Sequence, residues 1–322
     1  MIDLPLMHAL VDAVMPKARL ILLGDKDQLT SVGAGAILGD ICQPPPDSGG
    51  TSQADPGIKH CIVPLQHNYR FGQRSGILNL ARAINQGEAQ AALDCLEDDG
   101  FSDVAFVELP TPLTVQRLAS VLQPFVTHYN AYLQQPTPKA QLAALNRFRI
   151  LSPHREGIIG VNTLNRLAET RLADQGHVTL DRDWYVGRPI LVTQNDYQLG
   201  LFNGDVGLVG RASEETGEPR VYFDDPDDQP RSLTLARMPA CETVFAMTIH
   251  KSQGSEFDRV VVVLPEKASP VVTRELLYTA VTRARHQVTL IATEEAVQTA
   301  IETKLERTSG LSRLLWQGSI PD

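Results

Sequence analysis

One polar stretch between two apolar runs constrains the fold of this chain more than any other feature. Residues 248–258 carry hydroxyl, imidazole, ammonium and amide groups, whereas residues 243–247 are mainly apolar. The run 260–265 that follows is rich in valine, continuous and ended by a proline. A β-branched run of this kind predicts a strand buried on both faces. The polar stretch is therefore predicted to be a loop at the edge of an α/β sheet, where such sheets bind ligands.

The side chains of this loop suit a phosphate backbone. His250, Lys251 and Gln253 offer hydrogen-bond donors and one cation, and a neighbouring glycine permits close approach of a ligand. The alternative is a solvated loop in which Ser252 or Ser255 caps a helix. A motif this short does not decide between the two, so the rest of the chain has to.

Two other polar segments follow predicted strands. Residues 19–23 predict a buried strand that leads directly into Gly24, Asp25 and Gln28. Gln28 could hold a water or a phosphate oxygen; the alternative is a turn made by Gly24 and Asp25. A second predicted strand, 148–151, leads into a polar loop and then a helix at about 159–173, which is a strand–loop–helix unit.

Two arginines stand out by their positions. Arg70 lies between Tyr69 and Phe71, so it is either a stacked structural arginine or one that contacts phosphate. Arg283 lies at the end of a predicted helix, residues 273–285, and the alternative to a functional role is favourable pairing with the helix dipole. The residues by themselves leave both alternatives open.

Composition limits the class of protein. The net charge of −9 and the pI near 5.4 exclude a simple basic nucleic-acid coat, so any nucleic-acid site must be a local groove. The four cysteines are scattered without a C-x-x-C pair, which indicates reduced thiols in a cytoplasmic protein and no metal site. No apolar run approaches the ~20 residues that span a bilayer, so no membrane partner is predicted.

Four motifs occur in one order along the chain: residues 24–29, 68–71, 248–258 and 278–284. Together they resemble superfamily 1 DNA helicases of the 5′-to-3′ branch. Within that branch the resemblance is to the RecD family, the alpha chain of exodeoxyribonuclease V, and it covers nearly the whole chain. Any one motif is weak evidence, whereas four in order make coincidence improbable.

The resemblance implies an α/β fold of two RecA-like parallel-sheet domains, the first incomplete. Residues 1–108 would be the remainder of the first domain and residues 109–322 the second. A small SH3-like β-barrel would be inserted in the second domain at about 184–240, where short β segments and an Asn203-Gly204 hairpin signal occur. In this family ATP lies between the two domains and single-stranded DNA lies across their top.

The resemblance also assigns residue roles. Gln28 would sense the γ-phosphate, and Arg70 and Arg283 would reach that phosphate from either side of the cleft. These three would be catalytic. The nucleotide site would also include Gly24, Asp25 and Glu256, the last as a contact to the nucleotide sugar. The DNA-contacting residues would be Ser152, Pro153, His154, Thr248, His250, Lys251, Ser252 and Gln253.

Two elements of the family pattern are missing. The sequence contains no G-x-x-x-x-G-K-[ST] phosphate-binding motif, and the Asp-Glu pair that places Mg²⁺ is also absent. The chain therefore resembles the C-terminal half of the family protein. ATP and Mg²⁺ are expected in the full-length protein only, no cofactor is expected on this chain, and the chain by itself is predicted to hydrolyse no ATP.

Three hypotheses about function follow. The first is a helicase motor subunit of a RecBCD-type complex in double-strand break repair and recombination, with DNA ends, single-stranded DNA and RecB- and RecC-type subunits as partners. The second is a non-catalytic docking or DNA-binding module derived from a helicase. The third, an unrelated α/β phosphate-binding enzyme, is disfavoured because it gives no reason for arginines at both Arg70 and Arg283.

Overall fold

The computed structural model describes residues 2–29, 37–43, 57–65, 70–72, 74–211, 217–225, 230–305 and 310–317. The helices are α1 (Leu4–Ala13), α2 (Ile37–Cys42), α3 (Gly76–Gln86), α4 (Ala89–Glu97), α5 (Val115–Val126), α6 (Asn130–Leu133), α7 (Pro138–Leu145), α8 (Val161–Asp174), α9 (Arg274–Val281), α10 (Glu294–Glu302) and α11 (Leu311–Gln317). The strands are β1 (Val104–Glu108), β2 (Phe148–Ser152), β3 (Pro189–Val192), β4 (Val206–Arg211), β5 (Pro219–Phe223), β6 (Arg231–Thr234), β7 (Cys241–Thr243), β8 (Ala246–Thr248), β9 (Phe257–Val263) and β10 (Ala284–Ala292).

A parallel five-stranded sheet in the order β1-β10-β9-β2-β8 forms the centre of the molecule. The valine run of β9 occupies the middle of this sheet, and Val260 to Val263 are buried. Helices cover both faces, because a strand flanked on each side by other strands exposes its side chains only to the layers above and below. The predicted α/β class with a parallel sheet is confirmed.

The two faces of the sheet bury different cores. Alternate residues Val260 and Val262 belong to the core that contains α3, α4, α9 and α10. Val261 and Val263 point the other way, into the core shared with α5, α7 and α8. This alternation is the period of two of a β-strand, and it places every valine of β9 in an apolar environment.

A second, antiparallel sheet is inserted between α8 and β8. Its order is β6-β5-β4-β3-β7, and it has an apolar core of its own. Tyr132 donates its hydroxyl to the Gly187 carbonyl at 2.6 Å, and Tyr185 donates to Glu169 on α8 at 2.9 Å, so buried tyrosines anchor the insertion to the helices. An inserted β unit in this region is thus confirmed as an antiparallel sheet.

The prediction of a buried strand at residues 19–23 is wrong. The segment has irregular structure, and Ile21 and Leu23 are 69% and 87% exposed. An apolar run becomes a strand only when a neighbour pairs with its main chain, and no strand among the described residues pairs with this one.

The proposed domain boundary at residue 108 follows β1 directly. This strand pairs in parallel with β10 at the edge of the same sheet, in register from Val104–Val288 to Glu108–Ala292. Residues 76–97 pack against α9 and α10 in the same core. The division into two RecA-like domains therefore stays a proposal.

In the part of the chain that the structure describes, no helix combines the length and the apolar character needed to cross a bilayer.

Asn165 on α8 protects the outer edge of the sheet. Its amide donates to the carbonyls of Thr243 and Ala246 at 2.9 and 3.1 Å, and its oxygen accepts the Ala246 N–H at 2.7 Å. We expect Asn165→Leu to lower the free energy of unfolding by about 1–3 kcal/mol, because the buried main-chain groups of Ala246 lose their partners. Urea unfolding of the variant checks this value.

The control is Asn162→Leu on the same helix, whose exposed amide bonds only Glu156 in an exposed contact. A loss of stability as small for Asn165→Leu as for Asn162→Leu would contradict the role of Asn165 at the sheet edge.

Candidate nucleotide and nucleic-acid sites

The segment that contains Asp25 and Gln28 lies against α9, far away in sequence. The main-chain N–H of Leu29 donates to the Thr279 hydroxyl at 2.8 Å. The Tyr278 hydroxyl donates to Asp25 Oδ2 at 3.1 Å, and the Gln28 amide donates to the same carboxylate oxygen at 2.9 Å. The first and fourth motifs predicted from the sequence are therefore in direct contact.

Arg283 is the buried centre of this contact, with 5% of its surface exposed. Its Nε donates to the Thr279 carbonyl at 3.1 Å, which is the contact expected of an arginine at a helix end. Its two terminal nitrogens leave the helix, however, and donate to the Ser255 carbonyl at 3.1 Å and to Gln28 Oε1 at 3.0 Å. The helix-end interpretation thus accounts for one part of the guanidinium, and the other part joins the first and third motifs.

Arg70 reaches the same place from another segment. It donates to Glu256 Oε1 at 2.9 Å and to the Ala284 carbonyl at 3.0 Å, while its guanidinium lies 5.0 Å from the centre of the Phe71 ring. The stacking alternative therefore holds for Phe71, and it coexists with a contact to Glu256. Asn68 and Tyr69 of the second motif lie outside the described residues.

Three guanidinium groups and two carboxylates meet at this point. Arg285 donates to Glu256 Oε2 at 3.1 Å, so Glu256 pairs with both Arg70 and Arg285. Burial, and next the nearby Arg70, lower the pKa of Arg283, whereas Glu256 and Asp25 oppose that shift. Partly desolvated cations in excess of their carboxylates are stabilised by an added anion, so the cluster is electrostatically suited to a phosphate.

Gly24 has a packing role in the structure. A Cβ built on it would lie 2.7 Å from Leu38 Cδ2. A larger residue at this position would therefore displace either the Leu38 side chain or helix α2, which carries it. The predicted nucleotide contact of Gly24 stays a prediction.

The carboxylates of this cluster do not fit a Mg²⁺ ion. Asp25 accepts hydrogen bonds from Gln28 and Tyr278, and Glu256 is paired with two arginines. Across the described ranges, no three His, Cys, Asp or Glu side chains are grouped in a way that could hold a metal.

A cavity of about 550 Å³ adjoins the cluster between the β insertion and the start of β9. Glu256, Asp205 and Arg231 are among the residues that line it. Its volume is in the range of small-molecule sites. The charged residues of its lining are mainly acidic, which is unfavourable for a triphosphate. The predicted contact of Glu256 to the nucleotide sugar stays a prediction.

The candidate DNA residues lie at the carboxyl ends of two paired strands. Ser152 and Thr248 end β2 and β8 and are register partners. The buried Ser152 hydroxyl donates to the Ile159 carbonyl at 2.7 Å and accepts the N–H of His154 at 3.2 Å. The Thr248 hydroxyl accepts the N–H of Lys251 at 3.3 Å. Both hydroxyls therefore shape the loops that follow them.

Lys251 and Arg155 project from these two loops and share one carboxylate. Lys251 Nζ lies 2.5 Å from Glu242 Oε1, and an Arg155 terminal nitrogen lies 3.0 Å from Glu242 Oε2. Neither Arg155 nor Glu242 was among the residues predicted from the sequence. Arg155 could have been found, because it directly follows His154 in a polar loop at a strand end.

The remaining candidate DNA residues differ in accessibility. Pro153 and Ser252 are buried, and the Ser252 hydroxyl donates to the Ile249 carbonyl at 2.7 Å. His250 and His154 are partly buried, and burial lowers the pKa of His154, because it disfavours the charged imidazolium. Gln253 donates to the Leu29 carbonyl at 2.6 Å, which directs its amide nitrogen toward the Gln28 segment.

The third motif physically connects the two candidate sites. β8 ends at Thr248 and β9 begins at Phe257, so the loop between them has eight residues. Lys251 and Glu256 both lie in this loop, with four residues between them. A displacement at one end of so short a connection is transmitted to the other end unless the loop itself deforms.

Comparisons with known proteins identify relatives of this chain. A UvrD-like helicase C-terminal domain matches residues 243–291, and an AAA domain matches residues 1–105. The RecBCD enzyme subunit RecD of Mycobacterium tuberculosis is 40% identical over 311 residues, which cover 97% of this chain and 51% of that protein. RecD of Haemophilus influenzae is 35% identical over 350 residues, or 98% of this chain and 53% of that protein.

The chain belongs to the RecD family. It aligns with the C-terminal half of RecD and spans about half the length of the curated relatives it matches. The ATP-dependent RecD2 DNA helicase of Deinococcus radiodurans is a more distant relative, 30% identical over 282 residues, or 87% of this chain and 33% of that protein.

Solved structures resemble the RecD-family chain only weakly. The Pif1 helicase from Bacteroides in complex with ADP-AlF3 and ssDNA is 14% identical and has a TM-score of 0.37, over 76% of this chain and 54% of that one. Pif1 helicase from Candida albicans is 15% identical with a TM-score of 0.31, over 67% and 71% of the two chains.

Proposed function

We propose that this RecD-family chain is part of the motor of an ATP-dependent 5′-to-3′ DNA helicase that acts in a RecBCD-type complex in double-strand break repair. The observation that carries the proposal is the convergence on Arg283. This buried guanidinium contacts Gln28 and Ser255, and its environment includes Arg70 and Glu256, so residues from four separate motifs meet at one cationic point. A cluster of this composition is suited to the γ-phosphate of ATP.

The proposed chemistry uses the fork geometry of arginine. During phosphoryl transfer, negative charge is spread over the oxygens of the transferred group, and planar N–H donors stabilise that charge. The Arg283 nitrogen that now donates to Gln28 Oε1 would donate to a phosphate oxygen, and Gln28 would then be released to orient the attacking water. Arg70 would approach from the opposite side, and Glu256 would accept a hydrogen bond from the nucleotide sugar.

The DNA site is proposed at the carboxyl ends of β2 and β8. Lys251 and Arg155 supply the cations, and His154, His250 and Thr248 supply further hydrogen-bonding contacts to the backbone. Ser152, Pro153 and Ser252 would act by shaping the two loops, since they are buried. Because only four residues separate Lys251 from Glu256, DNA movement would alter the position of Arg283 through Ser255.

The larger assembly is likewise proposed. The chain would contribute to two RecA-like domains, with the antiparallel sheet closed into an SH3-like barrel. Its partners would be single-stranded DNA, DNA ends and RecB- and RecC-type subunits, and it would act in the cytoplasm. ATP and Mg²⁺ would be used by the complete protein.

A non-catalytic DNA-binding or docking module derived from a helicase is the second candidate. The two candidate functions predict different results when DNA-stimulated ATP hydrolysis by the complete protein is measured. Turnover supports the motor, whereas DNA binding without turnover supports the module.

Lys251→Ala is expected to weaken binding of single-stranded DNA and to reduce its salt dependence. One lost phosphate contact should lower the slope of log affinity against log salt by about 0.7. Fluorescence anisotropy with a labelled oligonucleotide at several salt concentrations measures both quantities in the complete protein.

The matched control is Lys304→Ala, which removes an exposed lysine after α10, away from both loops. Affinity and slope that are the same in Lys251→Ala as in Lys304→Ala would contradict the DNA site.

A further inference from the structure

Glu242 bridges the two loops to which DNA contacts are assigned, yet it belongs to neither. It lies on β7 of the antiparallel insertion, paired with Leu191 of β3. One carboxylate oxygen faces Lys251 at 2.5 Å and the other faces Arg155 at 3.0 Å. A single carboxylate thus pairs with both cations at the carboxyl ends of β2 and β8.

We propose that the Glu242 carboxylate occupies the position of a DNA phosphate and competes with DNA for Lys251 and Arg155. A carboxylate and a phosphate present oxygens of the same charge sign and the same hydrogen-bonding role to these cations. In this arrangement the insertion keeps the DNA site neutralised until a phosphate displaces Glu242. The inference rests on the proposed function, because it deepens the assignment of the DNA site.

The ion pairs are accessible enough to exchange. The Arg155 side chain is 62% exposed, and those of Lys251 and Glu242 are 28% and 22% exposed. Ion pairs in contact with water contribute little net stability, so displacement of the carboxylate by another anion costs little. A fully buried pair would not permit such exchange.

The loops do not need Glu242 to keep their shape. Ser152 binds the Ile159 carbonyl and the His154 N–H, and Ser252 binds the Ile249 carbonyl. These bonds lie within the loops themselves. A purely structural role for Glu242 is therefore less well supported than competition, and the two interpretations predict opposite effects on DNA affinity.

The test is Glu242→Gln in the complete protein, measured by fluorescence anisotropy with labelled oligo-dT. The variant lacks the carboxylate that competes for Lys251 and Arg155, so DNA no longer has to break two exposed ion pairs. Binding of oligo-dT should therefore become about three- to tenfold tighter at low salt. The slope of log affinity against log salt should become steeper by about 0.7 for each additional phosphate that the released cations bind. Glu218→Gln, which removes one exposed negative charge elsewhere on the insertion, should change neither quantity.

The double variant Glu242→Gln/Lys251→Ala should lose most of the gain, because one of the two released cations is gone. If Glu242 instead positions Lys251, Glu242→Gln will bind DNA more weakly than the unmodified protein. Where the unmodified protein binds oligo-dT, weaker or unchanged oligo-dT binding by Glu242→Gln overturns the proposal.

Inorganic polyphosphate serves as a second probe that separates this proposal from the proposed function. Tighter polyphosphate binding by Glu242→Gln, with no oligo-dT binding by any variant, would support competition by Glu242 and contradict the DNA assignment. Unchanged binding of both probes would overturn the competition itself, whether or not the unmodified protein binds DNA.

Discussion

Replacement of Arg283 by alanine is expected to lower DNA-stimulated ATP turnover by the complete protein about 10³- to 10⁵-fold, the range for loss of an arginine finger. The reason is the position of the guanidinium, which is buried and donates to Gln28 and Ser255 rather than only to its own helix. The measurement is kcat for ATP hydrolysis at saturating DNA.

Stability has to be measured beside turnover, because Arg283→Ala also removes buried or half-buried hydrogen bonds. Their partners are Thr279, Ser255, Gln28 and Thr282. A melting temperature above the assay temperature and retained ATP binding show that the loss lies in catalysis. Arg82→Ala, an exposed arginine on α3, is the matched control. Near-normal turnover in a destabilised Arg283→Ala protein would show that Arg283 stabilises the end of its helix and has no catalytic role.

Arg70→Lys is expected to lower kcat about 10²- to 10³-fold, the usual cost of one lost donor to a developing negative charge. Arg70 uses two nitrogens at once, one toward Glu256 and one toward the Ala284 carbonyl. A lysine keeps the positive charge but presents one nitrogen and cannot reproduce this fork. The measurement is kcat beside the KM for ATP, at saturating DNA.

Phe71→Leu separates this role from stacking. The Arg70 guanidinium lies over the Phe71 ring, so a stacking role predicts that Phe71→Leu and Arg70→Lys lower the melting temperature alike and spare turnover. A catalytic role predicts that only Arg70→Lys loses turnover. Equal, small effects on kcat in both variants would rule out the assignment of Arg70 to the phosphate.

The sequence determined those features that depend on local pattern. The valine run 260–263 predicted a strand buried on both faces, and β9 is such a strand at the centre of the parallel sheet. Ser75 and Gly87 likewise determined the ends of α3: the Ser75 hydroxyl accepts the Leu78 N–H, and Gly87 has a positive φ of 78°. The order of the four motifs was sufficient to identify the family.

The tertiary structure decided which of these features meet. Residues 19–23 have the apolar character of a strand, but the described part of the chain provides no strand beside them. The pattern around Lys251 gave no sign of Glu242, which comes from the other sheet. The sequence around Arg283 did not predict its hydrogen bond to Gln28, because the two residues are 255 positions apart in the chain. Local pattern sets which main-chain and side-chain groups need partners, and only the folded chain selects the partners.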